Sequence, residues 1–376
     1  MKAEIRPVTK DALGIIAKKT RDYGFPRGVR WIERLLFDPN VKEGEGDPIR
    51  GAYVVGENGE CVGMYCWFPC VVYHKQTRIS ACSGALLGVD RKYSTYIFDL
   101  VDLAVAAGGG RFSFGNDCAS VAASKFWTGY LHCNWGPEEG VFTDARERKT
   151  LRYLCGLLRH LHLENQWAQS LLFCAAWPFL LTVNIVMKCF RRKDKEIRIV
   201  REPGFSDERF APFWKKFLAA NKGVVSSREP ATLRWKFDEV IQKGIDILLA
   251  AEKGGEVIGY VLLRKMPIRG SLMTEYLICD ICAIGDDEHV LSVLLKAAVD
   301  YFYDHLGVWI KYVGSPKSKK RWMNALLTRH FHLDCNPFSY SGGGDVLLES
   351  VKANEGWFFG PYDGERCMGY GGHLED

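Results

Sequence analysis

The sequence predicts a mixed α/β fold built twice in one chain, and three observations carry that prediction. The turn Gly59-Glu60-Cys61-Val62-Gly63 recurs as Gly255-Glu256-Val257-Ile258-Gly259, 196 positions further on. The same offset takes Asp90 to Asp286, the apolar run Ile97 to Val105 onto Val293 to Tyr301, and Phe112-Ser113-Phe114 onto Val308-Trp309-Ile310. Self-similarity at one spacing over about fifty residues marks a repeated structural unit. Length agrees, because a chain of 376 residues exceeds one ordinary core and suits two domains of about 150–190. The expected division is a first domain over 1–145, a helical hydrophobic linker over 146–196 and a second domain over 197–376.

In chain order, Ala3 to Val8 alternates apolar and polar residues and reads as a short strand; a cap signal at Thr9 and Asp11 then opens a helix over Ala12 to Lys18. A second helix is expected over Arg27 to Phe37, before Asp38-Pro39-Asn40. Three strands follow. Gly51 to Gly56 is closed by the hairpin signal Glu57-Asn58-Gly59, Glu60 to His74 is long and rich in Val, Tyr and Cys, and Thr77 to Val89 returns after a polar turn. Tyr93 to Ala107 places Ile97, Leu100, Val101, Ala104 and Val105 at helical spacing, and Gly108-Gly109-Gly110 stops it. That triple glycine follows a helix and precedes a strand, the reverse of a phosphate cradle, so it reads as a tight connection. A strand over Arg111 to Gly115, a cap at Asn116-Asp117 and a helix over Ala119 to Trp127 complete the first copy.

The second copy restarts at Ile197 to Val200, with helices over Phe205 to Asn221 and from Pro230, where a missing N–H costs nothing. Its Arg234-Trp235 echoes Arg30-Trp31. Tyr276 to Ile284 is an apolar strand interrupted by Asp280, an acid that burial would raise in pKa if it were unpaired. At the end, the aromatic run Trp357-Phe358-Phe359-Gly360 is expected to pack back on the second domain or line a cleft.

Composition narrows the function classes. Hydrophobic residues at 47% and charged residues at 25% are those of a soluble globular protein. The formal charge of +5 is small for the length, and Lys and Arg are dispersed, so no nucleic-acid partner is expected. Thirteen cysteines, an odd number lying mostly in apolar runs behind a charged opening with no signal peptide, read as reduced thiols of a cytoplasmic protein. Cys279-Asp280-Ile281-Cys282 has no second pair to complete a zinc site and lies in a strand, so neither metal nor redox work is expected of it.

The order strand, two helices, three-strand meander ending in Val-Asp-Arg-Lys-Tyr, helix, strand, then Asn-x-x-Ala and a helix ending near Gly129-Tyr130, resembles the GCN5-related N-acetyltransferase (GNAT) fold, over about 1–145 and again over about 197–350. In that family an Arg or Gln-x-x-Gly-x-Gly loop at the end of the fourth strand holds the pyrophosphate of acetyl-CoA on backbone N–H groups at a helix N-terminus. The resemblance puts acetyl-CoA or another acyl-CoA on Val89, Arg91, Tyr93, Ser94 and Thr95. Ser94 and Tyr96 stand where the family has glycines, and the Tyr96 side chain is expected where the phosphates pack closest. The second copy reads Asp286-Asp287-Glu288 at that place, which would repel a phosphate. Catalytic roles are carried over to Asn116, which matches Asn-x-x-Ala, and to Asp280; the family's tyrosine acid would fall near Ala123 or Ser124.

The implied activity is acyl-CoA-dependent N-acyl transfer to an amine, of an amino sugar or a peptide. The other reading is a catalytically inactive tandem GNAT-like binding or scaffold protein at a membrane surface, in the manner of tandem GNAT proteins of polysaccharide synthesis. The run Trp167 to Phe190 carries one charge, Lys188, and precedes Arg191-Arg192-Lys193. It reads as linker helices packed between the domains, because Pro178 and the polar Gln169, Thr182 and Asn184 interrupt it. An interfacial helix giving peripheral membrane contact, and a span, are the other two readings.

Overall fold

A computed structural model describes residues 2–24, 27–40, 50–108, 112–115, 134–135, 142–147, 194–206, 208–221, 223–267, 274–305, 307–314 and 339–341. The first copy runs β1 (Glu4–Pro7), α1 (Leu13–Asp22), α2 (Val29–Leu36), β2 (Gly51–Val55), β3 (Cys61–His74), β4 (Thr77–Val89), α3 (Tyr96–Gly108) and β5 (Phe112–Gly115), followed by β6 (Asn134–Trp135) and β7 (Phe142–Glu147). The second repeats it as β8 (Arg198–Glu202), α4 (Phe210–Ala220), β9 (Val224–Ser226), α5 (Pro230–Gln242), β10 (Asp246–Lys253), β11 (Glu256–Pro267), β12 (Thr274–Ala283), α6 (Glu288–Asp304), β13 (Gly307–Gly314) and β14 (Ser339–Ser341). The offset read from the sequence therefore superposes β3 on β11, α3 on α6 and β5 on β13. Pro230 occupies the first turn of α5, as its missing N–H allows. The linker, with Trp167 to Phe190, lies outside the described residues, as do the helix over 119–127 and the aromatic run at 357–360. Among the described residues no helix is long and apolar enough to cross a membrane.

Two sheets form, and each takes a strand from the other copy. One sheet has the order β1-β2-β3-β4-β5-β14-β6, and the other β7-β13-β12-β11-β10-β8. β14, from the end of the second copy, pairs antiparallel with β5, Ser341 against Ser113 and Ser339 against Gly115. β7, from the end of the first copy, pairs antiparallel with β13, Ala145 against Lys311. A third crossing is β9, which lies antiparallel to the far end of β3 with His74 opposite Val224, and the Ser227 N–H continues it onto the Val71 carbonyl at 2.7 Å.

The layers follow from strand alternation. On β3, Tyr65 and Trp67 face one way into a cluster with Leu100 and Val101 of α3; on β11, Val261 and Leu263 likewise meet Leu294 and Leu295 of α6. The opposite faces, Met64, Cys66 and Phe68 on β3 and Tyr260 and Leu262 on β11, belong to one continuous core. That core is filled by Ile16 of α1, Trp31 and Leu35 of α2, Phe210, Phe213 and Phe217 of α4, and Phe237 of α5. Four helices, two from each copy, are thus sandwiched between the two sheets, with α3 and α6 on the outer faces.

Where α2 meets α5, Arg34 pairs with Glu239, which also takes Lys243 at 2.8 Å, and the Trp235 indole N–H donates to the Arg34 carbonyl at 3.1 Å. Lys243, and then the Arg34 guanidinium, hold the Glu239 carboxyl down at about 2, against an ordinary 4.5, although partial burial opposes them. A depressed carboxylate stabilises the fold fully above its ordinary value, and that contribution is lost as the pH falls through about 4.5 towards about 2. The pair is partly solvated, so the effect is modest. We expect urea melts of Glu239→Gln to lose less stability than the native chain between about pH 5 and about pH 2.5; parallel losses would show that the pair contributes nothing across the α2–α5 contact.

Candidate functional site

The parallel strands at the centre of each sheet part company. β4 pairs with β5 from Ala81–Phe112 to Ser83–Phe114, and among the described residues β4 then continues to Val89 with no β5 partner. β12 pairs with β13 as far as Ile278–Tyr312 and continues to Ala283 in the same way. Each copy therefore opens a wedge at the carboxyl ends of its parallel strands, the place where open α/β sheets bind ligands. A bulge bends β4 there: Leu86 and Leu87 fall between the pairs Met64–Gly88 and Cys66–Ala85, with Leu86 held at φ 54°. That left-handed backbone on a buried leucine is strained, and the neighbouring ladder holds it.

The first wedge leads into the predicted cradle. Val89 ends β4, Arg91 to Tyr93 form a 3-10 turn, and Arg91, Lys92, Ser94 and Thr95 are exposed before α3 begins. The Tyr93 N–H donates to the Asp90 carbonyl at 2.7 Å, whereas the Ser94 N–H makes only a long 3.4 Å bond to the Arg91 carbonyl. The Thr95 N–H has no partner among the described residues. Asp90 does not cap the turn; its carboxylate takes the buried Lys19 ammonium of α1 at 2.9 Å. The donors here, two exposed cations and an available amide at a helix N-terminus, fit a phosphate. The Tyr96 ring stays 6.5 Å from that of Tyr93, and its hydroxyl accepts the Ala3 N–H at 3.0 Å, so a backbone donor before β1 anchors the tip of the side chain. Asn116 lies outside the described residues.

The second wedge is closed in two ways. The Asp287 carboxylate caps α6, accepting the N–H groups of His289 at 2.8 Å and Val290 at 3.1 Å, so the donors an anion would need are already used. Asp280 is not an unpaired acid. Arg228, whose side chain is fully buried, grips it with Nε at 2.9 Å from Oδ2 and Nη2 at 3.1 Å from Oδ1, and donates from Nη1 to the Ser226 carbonyl at 2.9 Å. The Tyr260 hydroxyl donates to the same Oδ2 at 2.5 Å. Burial, followed by the Asp280 charge, pushes that hydroxyl well above its ordinary pKa, so it remains a donor. An Asp so engaged is suited to neutralising Arg228 rather than to taking a proton from a substrate. Cys279 and Cys282 flank it as buried cysteines outside any disulfide, and among the described residues no group of three or more His, Cys, Asp or Glu side chains could hold a metal.

Sequence reasoning missed Lys19, Tyr23 and Arg228. Tyr23 packs its ring over Gly88, where an added Cβ would lie 2.5 Å from it, and Lys19 sits 4.7 Å above that ring. Burial, then Asp90, raises the Tyr23 hydroxyl far above its usual range. A short side chain at position 88 was the only available signal, and a glycine in a strand marks close approach without naming what approaches.

The fold is GNAT-like and present twice. No family model matches the sequence, and no curated protein matches it either. Among solved structures, N-myristoyltransferase of Saccharomyces cerevisiae with bound myristoyl-CoA is similar at a TM-score of 0.55, with 10% identity over 93% of this chain and 88% of that one. A GCN5-related N-acetyltransferase from Anabaena variabilis gives 0.54, with 7% identity over 90% and 72%. A probable N-acyltransferase of unknown function from Enterococcus faecalis gives 0.53, with 10% identity over 93% and 75%. At these identities the likeness is one of fold.

The ion pair in the second wedge makes a clear prediction. Arg228→Ala strands a buried carboxylate and should cost about 3–5 kcal/mol in urea denaturation, while Arg228→Met with Asp280→Leu should recover most of that loss. A single-variant cost below about 1 kcal/mol would show that solvent reaches the pair.

Proposed function

We propose that the protein is an acyl-CoA-dependent N-acyltransferase whose first copy holds the CoA and whose second copy supplies acceptor-side walls. The observation that carries this reading is the exposed Arg91-Lys92 turn, with the available Thr95 N–H, at the mouth of the β4–β5 wedge. The pyrophosphate would lie on that turn and the acyl-pantetheine arm would run along Gly84 to Val89, where β4 has no β5 partner. Attack of an acceptor amine on the thioester forms the C–N bond and breaks C–S; the amine gives up a proton and the thiolate leaves as the free thiol. The acceptor would be an amino sugar or a peptide amine, and the donor acetyl-CoA or a longer acyl-CoA; the yeast enzyme of similar fold was solved with bound myristoyl-CoA.

A second reading has a specific observation behind it: Asp280 is consumed by Arg228, and Ser94 replaces a motif glycine. On that reading the chain binds CoA or a partner without transferring an acyl group, as a scaffold, with peripheral membrane contact through 167–190. A cytoplasmic location, membrane-associated or not, is proposed with either reading.

Calorimetry of the full chain with acetyl-CoA, myristoyl-CoA and CoA tests the proposal. One equivalent is expected per chain, and Arg91→Ala should weaken binding by about 1.5–3 kcal/mol, roughly 10- to 150-fold. Two equivalents would overturn the assignment of roles, and unchanged binding in the variant would remove the cradle from this turn. Tight binding without transfer to any amine in a panel of amino sugars and peptides would favour the second reading.

A further inference from the structure

A cavity of about 410 Å³ opens where the copies meet, between α2 and α5, lined by Arg30, Glu33, Arg34, Arg234, Trp235 and Glu239. Its acids are both accounted for. Glu239 takes Arg34 and Lys243, and Glu33 has Lys10 at 4.0 Å. Arg30 and Arg234, one from each copy, are exposed and have no acidic partner among the described residues. The cavity therefore carries three guanidinium groups against two carboxylates, both of which have other cationic partners, beside an indole whose N–H is tied to the Arg34 carbonyl at 3.1 Å and whose ring is thereby fixed as a wall.

We propose that this cavity is a binding site for a small organic phosphate, separate from the CoA cradle. A phosphate monoester carries close to two negative charges and several acceptor oxygens, which suits two arginines that line one cavity from different helices; a monocarboxylate would neutralise the charge of only one of them. The volume is many times that of a phosphate and falls in the range of small-molecule sites, so an organic portion has room against Trp235. Because one arginine comes from each copy, the ligand would bridge the α2–α5 contact and stabilise the chain through it.

The test uses the full chain at low ionic strength, where an open charged site is least screened. Uridine monophosphate and glucose 6-phosphate are the probes, and uridine, glucose and inorganic phosphate are the controls, read by calorimetry and by thermal melting. At least one phosphorylated probe is expected to bind and raise the melting temperature, and its unphosphorylated counterpart is not. Arg30→Ala and Arg234→Ala should each weaken that binding roughly tenfold or more, with Arg234→Lys intermediate because it keeps the charge and loses the fork. Arg91→Ala should leave it unchanged, which separates this site from the CoA cradle. No binding by either phosphorylated probe, equal binding by its unphosphorylated counterpart, binding insensitive to both arginines, or binding abolished by Arg91→Ala would each overturn the proposal.

Discussion

The apolar layer shared by the two copies is the constraint on which the rest of the molecule depends. Each sheet has an outer face that its own helix covers, α3 or α6, and an inner face that it cannot cover alone. Met64 and Phe68 on one sheet and Tyr260 and Leu262 on the other are closed over by one set of side chains, among them Trp31, Leu35, Phe213 and Phe237. At roughly 1.5–3 kcal/mol for each large apolar side chain withdrawn from water, separating the copies would expose far more apolar surface than the few kcal/mol by which folded proteins are stable. The exchanged strands β7 and β14 and the crossing of β9 onto β3 add backbone pairing to the same union. Either half alone would leave its inner sheet face uncovered and its exchanged strand unpaired.

A layer built this way forces its charges into pairs. Arg228 reaches into it from the segment after β9 and meets Asp280 on β12; Asp246 and Arg264, directly opposite on β10 and β11, make a second buried pair with two contacts of 2.7 Å. Lys19, on the α1 side, is buried against Asp90. Removing one partner of either of the first two pairs would leave a charge with little water to replace it, which is why such groups occur together. Lys19 has a further consequence, since the carboxylate it binds immediately precedes the cradle turn and the core thereby fixes where that turn begins.

The repeat, the element order and most element limits were legible because they rest on local signals. β4 occupies Thr77–Val89 as expected, α5 begins at Pro230, and the glycine turns recur at the same spacing. Some limits moved by a few residues: the helix expected from Phe205 begins at Phe210, because Phe205 packs edge-on against Tyr260 while its N–H donates to Asp238 at 2.6 Å. The strand exchange was not legible. A strand's alternation states which face is buried but not which neighbour it joins, and Phe142–Glu147 would satisfy either sheet. The partners of Asp280 and Tyr96 lie 52 and 93 positions away, beyond any periodic pattern. The turn between β4 and α3 was legible as a position, whereas the hydrogen bonds that leave the Thr95 N–H available and commit that of Tyr93 were not.

The two helix N-termini show how small changes in acid placement give different hydrogen bonding at equivalent positions. Both α3 and α6 follow a 3-10 turn at the end of a bulged strand, so both present the positive end of a helix dipole at the mouth of a wedge. In the first copy the acid at this point, Asp90, is turned aside by Lys19, and the residues that follow it are basic. In the second, Asp287 folds back on two N–H groups of its own helix. Such a cap stabilises by about 1 kcal/mol, and it does so with the donors that a phosphate would otherwise use. The second copy thus spends the donors of its helix end on internal stability, and its buried Arg228–Asp280 pair fills the adjoining wedge with structure. The first leaves Ser94 and Thr95 exposed at its helix end beside two exposed cations, so the positive end of that dipole meets added positive charge instead of a carboxylate of its own chain.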